Sequence, residues 1–130
     1  KHYIVRSSWL FGKNGDNFVS KIIKLSEEKE TIEVVKDQMG SPTYTKDLAN
    51  KIKRIMDKDF GIYHITNQGC CSWFDFAREI IKQKGLNTQV NPITSDKLKR
   101  KATRPKSSVL INTKTGPLRH WKQALKEYLE

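Results

Sequence analysis

Apolar residues in this chain fall into short blocks whose spacing changes from one block to the next, which predicts alternating strands and helices. Tyr3, Ile4 and Val5 are β-formers in a short run that Arg6, Ser7 and Ser8 break with polar groups, before Trp9, Leu10, Phe11 and Gly12. That run reads as a buried strand emptying into a glycine-marked loop. Phe18, Ile22, Ile23 and Leu25 share a face of a helix over Phe18–Glu28, with Asp16 or Asn17 as its cap. Ile32, Val34 and Val35 predict a strand over 31–36, and Gly40 and Pro42 make 37–43 a shaped loop.

The same alternation continues to the carboxyl end. Leu48, Ala49, Ile52, Ile55 and Met56 form the stripe of a helix over 46–57, capped by Thr43 or Thr45. Tyr63 and Ile65 share one face of a short strand over 61–66. Ser72 caps a helix over Trp73–Lys84 that Gly85 stops, with Phe74, Ala77, Ile80 and Ile81 inward. Shorter extended pieces are expected at 90–93 and 108–112, a brief turn at 96–99 capped by Ser95, and a last amphipathic helix over 118–129. Trp73, Phe74, Phe76 and Trp121 have helical spacing and are assigned to the core. The whole predicts a mixed α/β body with little sheet of its own.

Composition narrows the class. At 130 residues the chain is the size of one domain, and 36% apolar residues clustered in this way are not a disordered composition. No apolar run reaches the ~20 residues of a membrane span, so a cytoplasmic protein is expected. Cys70 and Cys71 are adjacent with no second pair, which supports neither a zinc site nor a disulfide framework, and His2, His64 and His120 are scattered. No metal is expected. A net charge of +11 would suit a nucleic-acid binder, but most lysines fall on predicted helix exteriors, and only Lys97 to Lys101 form a dense basic run.

The candidate chemistry lies at the loops. In α/β sheets ligands gather beyond the carboxyl ends of strands, which points to Ser7, Ser8 and Trp9. Asn17 opens a helix, and a helix amino terminus with an amide suits a diphosphate oxygen. Arg104, held rigid by Pro105, has the planar guanidinium that grips a diphosphate bidentately. No G-x-x-G-x-x-G turn and no Tyr-x-x-x-Lys pair occurs in the chain.

Taken in order, the stretch from Tyr3 to Gly12, Asp37 to Thr43, Gly61 to His64, Ser72 to Ala77, Arg104 to Ser108 and Leu118 to Trp121 resembles one family over the whole chain. It is similar to the carboxyl-terminal part of dTDP-4-dehydrorhamnose reductases, which are extended short-chain dehydrogenase/reductases. The resemblance implies the substrate-binding portion of that fold, with the glycine-rich Rossmann half absent. Residues 1–12 would be a late strand of the nucleotide-binding sheet and the active-site loop, and residues 13–130 the sugar-nucleotide-binding domain. The parent enzyme would reduce dTDP-4-dehydro-L-rhamnose to dTDP-L-rhamnose with NADPH or NADH.

Residue by residue, the resemblance implies that Trp9 lies against the deoxysugar, and that Asn17 and Arg104 hold the diphosphate. Gln38 and Ser41 would belong to the loop over the nucleotide end, where an amide can match a pyrimidine edge. Ser7 and Ser8 would stand near the nicotinamide. No catalytic residue is assigned to this chain, which is expected to be inactive alone and to need the Rossmann domain as partner. Without it, an exposed sheet edge invites a homodimer. Two other readings stand beside this one: a non-catalytic or regulatory sugar-nucleotide-binding relative and, further off, a basic nucleic-acid module.

Overall fold

In the computed structural model, which describes residues 1–98 and 100–130, the helices begin and end where local chemistry dictates. The first strands are β1 (Tyr3–Arg6) and β2 (Leu10–Phe11), and helix α1 (Phe18–Glu28) follows. Asn17 caps α1: its Oδ1 accepts from the backbone N–H groups of Val19 and Ser20, and Ser20 Oγ accepts from Asn17 N–H in return. Next come β3 (Thr31–Val35), β4 (Met39–Gly40), β5 (Thr43–Tyr44) and α2 (Thr45–Ile55). The chain continues with β6 (Gly61–His64), β7 (Cys71–Ser72), α3 (Trp73–Lys84), β8 (Gln89–Ile93), a 3₁₀ turn at Ser95–Lys97 and α4 (Trp121–Leu129). Ser72 caps α3 through a reciprocal pair with Asp75, and Gly85 ends it at φ +67, in the left-handed region that glycine enters at little cost.

The strands form four separate two-stranded pairings. Three are parallel, β1 with β6, β2 with β5 and β3 with β8, and the fourth, β4 with β7, is antiparallel. Residues 7–9 are therefore a jog: the chain leaves the β1–β6 ladder, where Ile65 N–H donates to the Arg6 carbonyl at 3.0 Å, and enters the β2–β5 ladder, where Thr43 N–H donates to the Trp9 carbonyl at 3.0 Å.

Two cores result. The larger gathers Phe11, Val19, Ile22, Ile32, Val34, Tyr44, Phe76, Ala77, Ile80, Trp121, Ala124 and Leu125 between α1, α3, α4 and the strands. Its centre is Phe76, fully buried, with the rings of Phe11, Phe18 and Trp121 at 5.4–5.7 Å. The smaller joins Ile55, Tyr63 and Ile65 to Tyr3, Val5, Leu48, Ile52 and Leu118, so β1 packs with α2 and β6 rather than with the main core.

Several local expectations change. The first strand is not buried on both sides: Val5 faces the small core while Ile4 and, beside it on β6, Ile62 are each 42% exposed. Neither Thr43 nor Thr45 caps α2; Tyr44 occupies the cap position without a side-chain bond. Ala49 and Met56 are exposed, so the α2 stripe narrows to Leu48, Ile52 and Ile55. Ser95 is not a cap, because Thr94 precedes the turn and Ser95 Oγ donates to Asp37 Oδ1 at 2.7 Å instead. Lys99, expected to end that turn and to belong to the basic run, lies outside the described residues. Residues 108–112 form no strand; the nearest bridge among the described residues joins Met39 to Ser107, just before that stretch. The last helix begins at Trp121, with His120 Nδ1 accepting from Lys122 N–H at 3.2 Å.

Candidate functional site

The carboxyl ends of β1 and β3, the β4–β7 pair and the segment after the 3₁₀ turn converge on a cavity of about 360 Å³. Its walls are Trp9, Gln38, Met39, Trp73, Arg100, Arg104, Pro105 and Ser108. The segment carrying Arg104 has no regular structure, yet it is fastened at one point. Met39 N–H donates to the Lys106 carbonyl and Ser108 N–H to the Met39 carbonyl, both at 2.8 Å. These bonds bring Arg104 and Pro105 to the same cavity as Gln38 and Trp9.

Trp9 is the strained element. Its φ of 46° is uncommon for a residue with a bulky side chain and costs on the order of 1–3 kcal/mol. The two hydrogen bonds flanking the jog hold the backbone there. The indole is stacked on Trp73 with centroids 3.5 Å apart and planes 9° from parallel. A Cβ placed on Gly40 would fall 2.5 Å from Trp9 Nε1 and 2.6 Å from Cζ2, and nearest of all to Cε2 between them, which places it over the ring rather than beside it. Trp73 fills one face so closely that Gly40 must meet the other. Gly40 lies over the Nε1–Cε2–Cζ2 side of that second face.

Gln38 is buried, and its Nε2 donates to Ser95 Oγ at 2.8 Å. Ser95 in turn donates both its hydroxyl and its N–H to Asp37, which holds the Asp37 carboxyl below its ordinary value of 3.8, with Lys106 adding to the effect. Ser8 Oγ donates to the Ser41 carbonyl at 3.0 Å, joining the β1 end to the 40–43 turn; Ser41 itself is buried and does not line the cavity. Ser7 Oγ is buried with no hydrogen-bond partner among the described residues.

The structure thus brings Trp9, Gln38 and Arg104 together, sets Ser7, Ser8 and Ser41 just behind them, and leaves Asn17 apart. Asn17 spends its amide on structure: besides capping α1, its Nδ2 donates to the Gly12 carbonyl at 3.0 Å and to Tyr128 Oη at 3.2 Å. Sequence reasoning missed Trp73, Met39, Arg100 and Ser108 as wall residues. Trp73 is half-buried rather than core. Its place directly after the Ser72 cap was the available signal, since a first-turn residue lies at the end of the apolar stripe, where the core stops. Arg100 was hidden in a basic run that reads as solvated charge. Among the described residues no group of three or more His, Cys, Asp or Glu side chains could hold a metal ion, and no helix is long and apolar enough to cross a membrane.

Comparison with known proteins gives a consistent result. The family model described as "RmlD substrate binding domain" matches residues 1–130. The spore coat polysaccharide biosynthesis protein SpsK of Bacillus subtilis is 44% identical over 98% of this chain and 46% of its own length. A dTDP-4-dehydrorhamnose reductase from Clostridium acetobutylicum superposes with a TM-score of 0.93 at 45% identity, covering 98% of this chain and 47% of that one. The Bacillus anthracis dTDP-4-dehydrorhamnose reductase, solved in complex with NADP, gives 0.89 at 38% identity, covering 97% and 46%. The chain spans about half the length of the curated relatives it matches.

Proposed function

Because the chain belongs to the RmlD substrate-binding domain family and has the mixed α/β fold of the substrate-binding part of extended short-chain dehydrogenase/reductases, we propose that it is the sugar-nucleotide-binding part of a reductase. The parent converts dTDP-4-dehydro-L-rhamnose to dTDP-L-rhamnose with NADPH or NADH, in the cytoplasm. The observation that carries this reading is the cavity that unites Trp9, Gln38 and Arg104, three side chains far apart in sequence whose chemistries suit a sugar, a base and a diphosphate.

Each residue then has a task. Arg104, with Arg100 beside it, offers guanidinium donors to the diphosphate. Gln38 meets the base with its Oε1 acceptor and its second N–H, because the first N–H is already given to Ser95. Trp9 meets the deoxysugar. Asn17 acts as a helix cap, and the diphosphate role passes to the arginines. Ser41 shapes the turn that carries Gln38 and holds Ser8.

The reading also gives the nicotinamide cofactor a place. The unpartnered, buried Ser7 hydroxyl at the end of β1 suits a carboxamide group, and Ser8 braces that corner. Bound there, the cofactor supplies the hydride. What this chain contributes is orientation, holding the ketone by its neighbouring groups, and by itself it has no reductase activity. The small core, in which β1 packs with β6 and α2, supports a division of the parent in which these elements join residues 1–12 on the nucleotide-binding side. The exposed Ile4 and Ile62 face fits a continuation into the Rossmann domain.

The test is a heteronuclear NMR titration of the protein with dTDP-L-rhamnose, using dTDP, rhamnose and an unrelated oligonucleotide as controls. Saturable shifts at Trp9, Gln38 and Arg104 with the nucleotide sugar are expected. A well-dispersed spectrum that ignores dTDP-L-rhamnose, or responds only to the oligonucleotide with a steep salt dependence, refutes the reading.

A further inference from the structure

We propose that Trp73 is a positioning residue of this cavity: together with Gly40 it clamps the Trp9 indole from opposite sides and so fixes the orientation in which the ring meets the ligand. This deepens the function proposed above and rests on it for the identity of the ligand.

The clamp has two jaws and one ladder holds both. Gly40 lies on β4 and Trp73 directly follows β7, and these strands pair in antiparallel register, Met39 with Ser72 and Gly40 with Cys71. The spacing between the jaws is therefore fixed by backbone hydrogen bonds. Trp73 is further set by the Ser72–Asp75 capping pair at its back and by the Phe18 ring at 4.5 Å. Trp9 comes from neither strand. It enters from the jog between β1 and β2, in a left-handed conformation, and its indole slides between the jaws.

Such a device has a purpose that packing alone does not supply. A large aromatic ring at φ 46 on a short polar jog has several rotamers within reach, and each would put the ring in a different part of the cavity. Clamping both faces leaves one. The order of binding cost follows: the ring is immobilised before the ligand arrives, so association does not have to immobilise it. Only glycine can serve at position 40, since any Cβ would penetrate the indole.

The experiment compares the protein with Trp73→Leu, Trp73→Phe and Gly40→Ala variants, each also in a Trp9→Phe background. It reads the Trp9 indole Nε1–H resonance of the free protein and the dissociation constant for dTDP-L-rhamnose. Trp73→Leu and Gly40→Ala are expected to move the resonance and to weaken binding about tenfold, within the range of coupling between touching residues. Trp73→Phe, which keeps a flat partner, is expected to stay within about threefold. In the Trp9→Phe background Trp73→Leu should add little further loss. An unmoved resonance in Trp73→Leu, or an equal loss of affinity with and without Trp9, overturns the proposal. If the unsubstituted protein does not bind dTDP-L-rhamnose, the function reading fails by itself, and the resonance in Trp73→Leu and Trp73→Phe alone decides whether the clamp exists.

Discussion

Asn67→Ala is the substitution whose cost can be worked most directly from the structure. Asn67 is 1% exposed and uses its whole amide: Oδ1 accepts from Tyr44 N–H at 2.8 Å, and Nδ2 donates to Asp47 Oδ2 at 2.7 Å and to the Arg119 carbonyl at 3.1 Å. One residue in the loop after β6 thereby ties the start of α2 to the approach to α4. Tyr44 N–H has this partner in place of the side-chain cap that α2 lacks. The charge-assisted bond to Asp47 is worth about 1.5–3 kcal/mol and each neutral bond about 0.5–1.5 kcal/mol. Asp47 keeps its bidentate partner Arg119 at 2.8 and 2.9 Å, which limits its loss, so the total is roughly 3–4 kcal/mol. For a chain of 130 residues, unfolding entropy of about 2.1 cal/mol/K per residue converts that into a fall in melting temperature of roughly 12 °C. Calorimetry and urea unfolding at constant m would measure it. A fall below about 3 °C, equivalent to less than ~1 kcal/mol, would refute the idea that this amide is what fastens the two helix starts.

Arg104→Ala is expected to weaken dTDP-L-rhamnose binding by roughly 10–100-fold, the value of a charge-assisted pair, with an unchanged melting temperature because Arg104 is exposed; calorimetric titration decides it. Phe76→Ala should cost about 3–5 kcal/mol in urea unfolding, since its ring is fully buried among four aromatic neighbours. Burial, reinforced by Asp75, pushes the Cys71 thiol up to about 12, so iodoacetamide at neutral pH should label exposed Cys70 and leave Cys71 unmodified until the chain unfolds; peptide mass mapping reads both. Glu127 is held below its ordinary 4.5 by Lys46 and then Arg119, so it stabilises the fold above that value and loses its contribution as pH falls through the lower folded value; Glu127→Gln should flatten the pH dependence of stability below about pH 4.5.

The helices that were legible in the sequence are those whose ends are written in local chemistry. Asn17 with Ser20, Ser72 with Asp75, and Gly85 fix α1 and α3 without help from distant residues, and both have the expected bounds. The start of α2 was not legible, because the N–H of its cap residue, Tyr44, is served by Asn67, a partner 23 residues away. Pairing was equally hidden: nothing local in 108–112 says that Ser107 and Ser108, not the apolar residues after them, would meet Met39. At the site, chemistry pointed to Trp9 and Arg104 and the family resemblance to Gln38, and all three line one cavity. Neither could reveal that the Trp9 ring is held from both sides, since that depends on a tryptophan and a glycine brought in by another ladder.

The parallel pairings have a kinetic consequence. Tyr3 pairs with Gly61 and Thr31 with Gln89, so the two longest ladders each close a loop of nearly half the chain, and the two loops overlap. Loop closure must be met before such contacts return anything, and chains dominated by nonlocal pairing fold slowly for that reason. The self-capped helices α1 and α3 can form early, but Trp9 cannot enter its clamp until β1, β2, β4 and β7 have all found their partners. Docking of Trp9 against Trp73 and Gly40 is therefore expected late in folding, and the cavity that Trp9 lines with it.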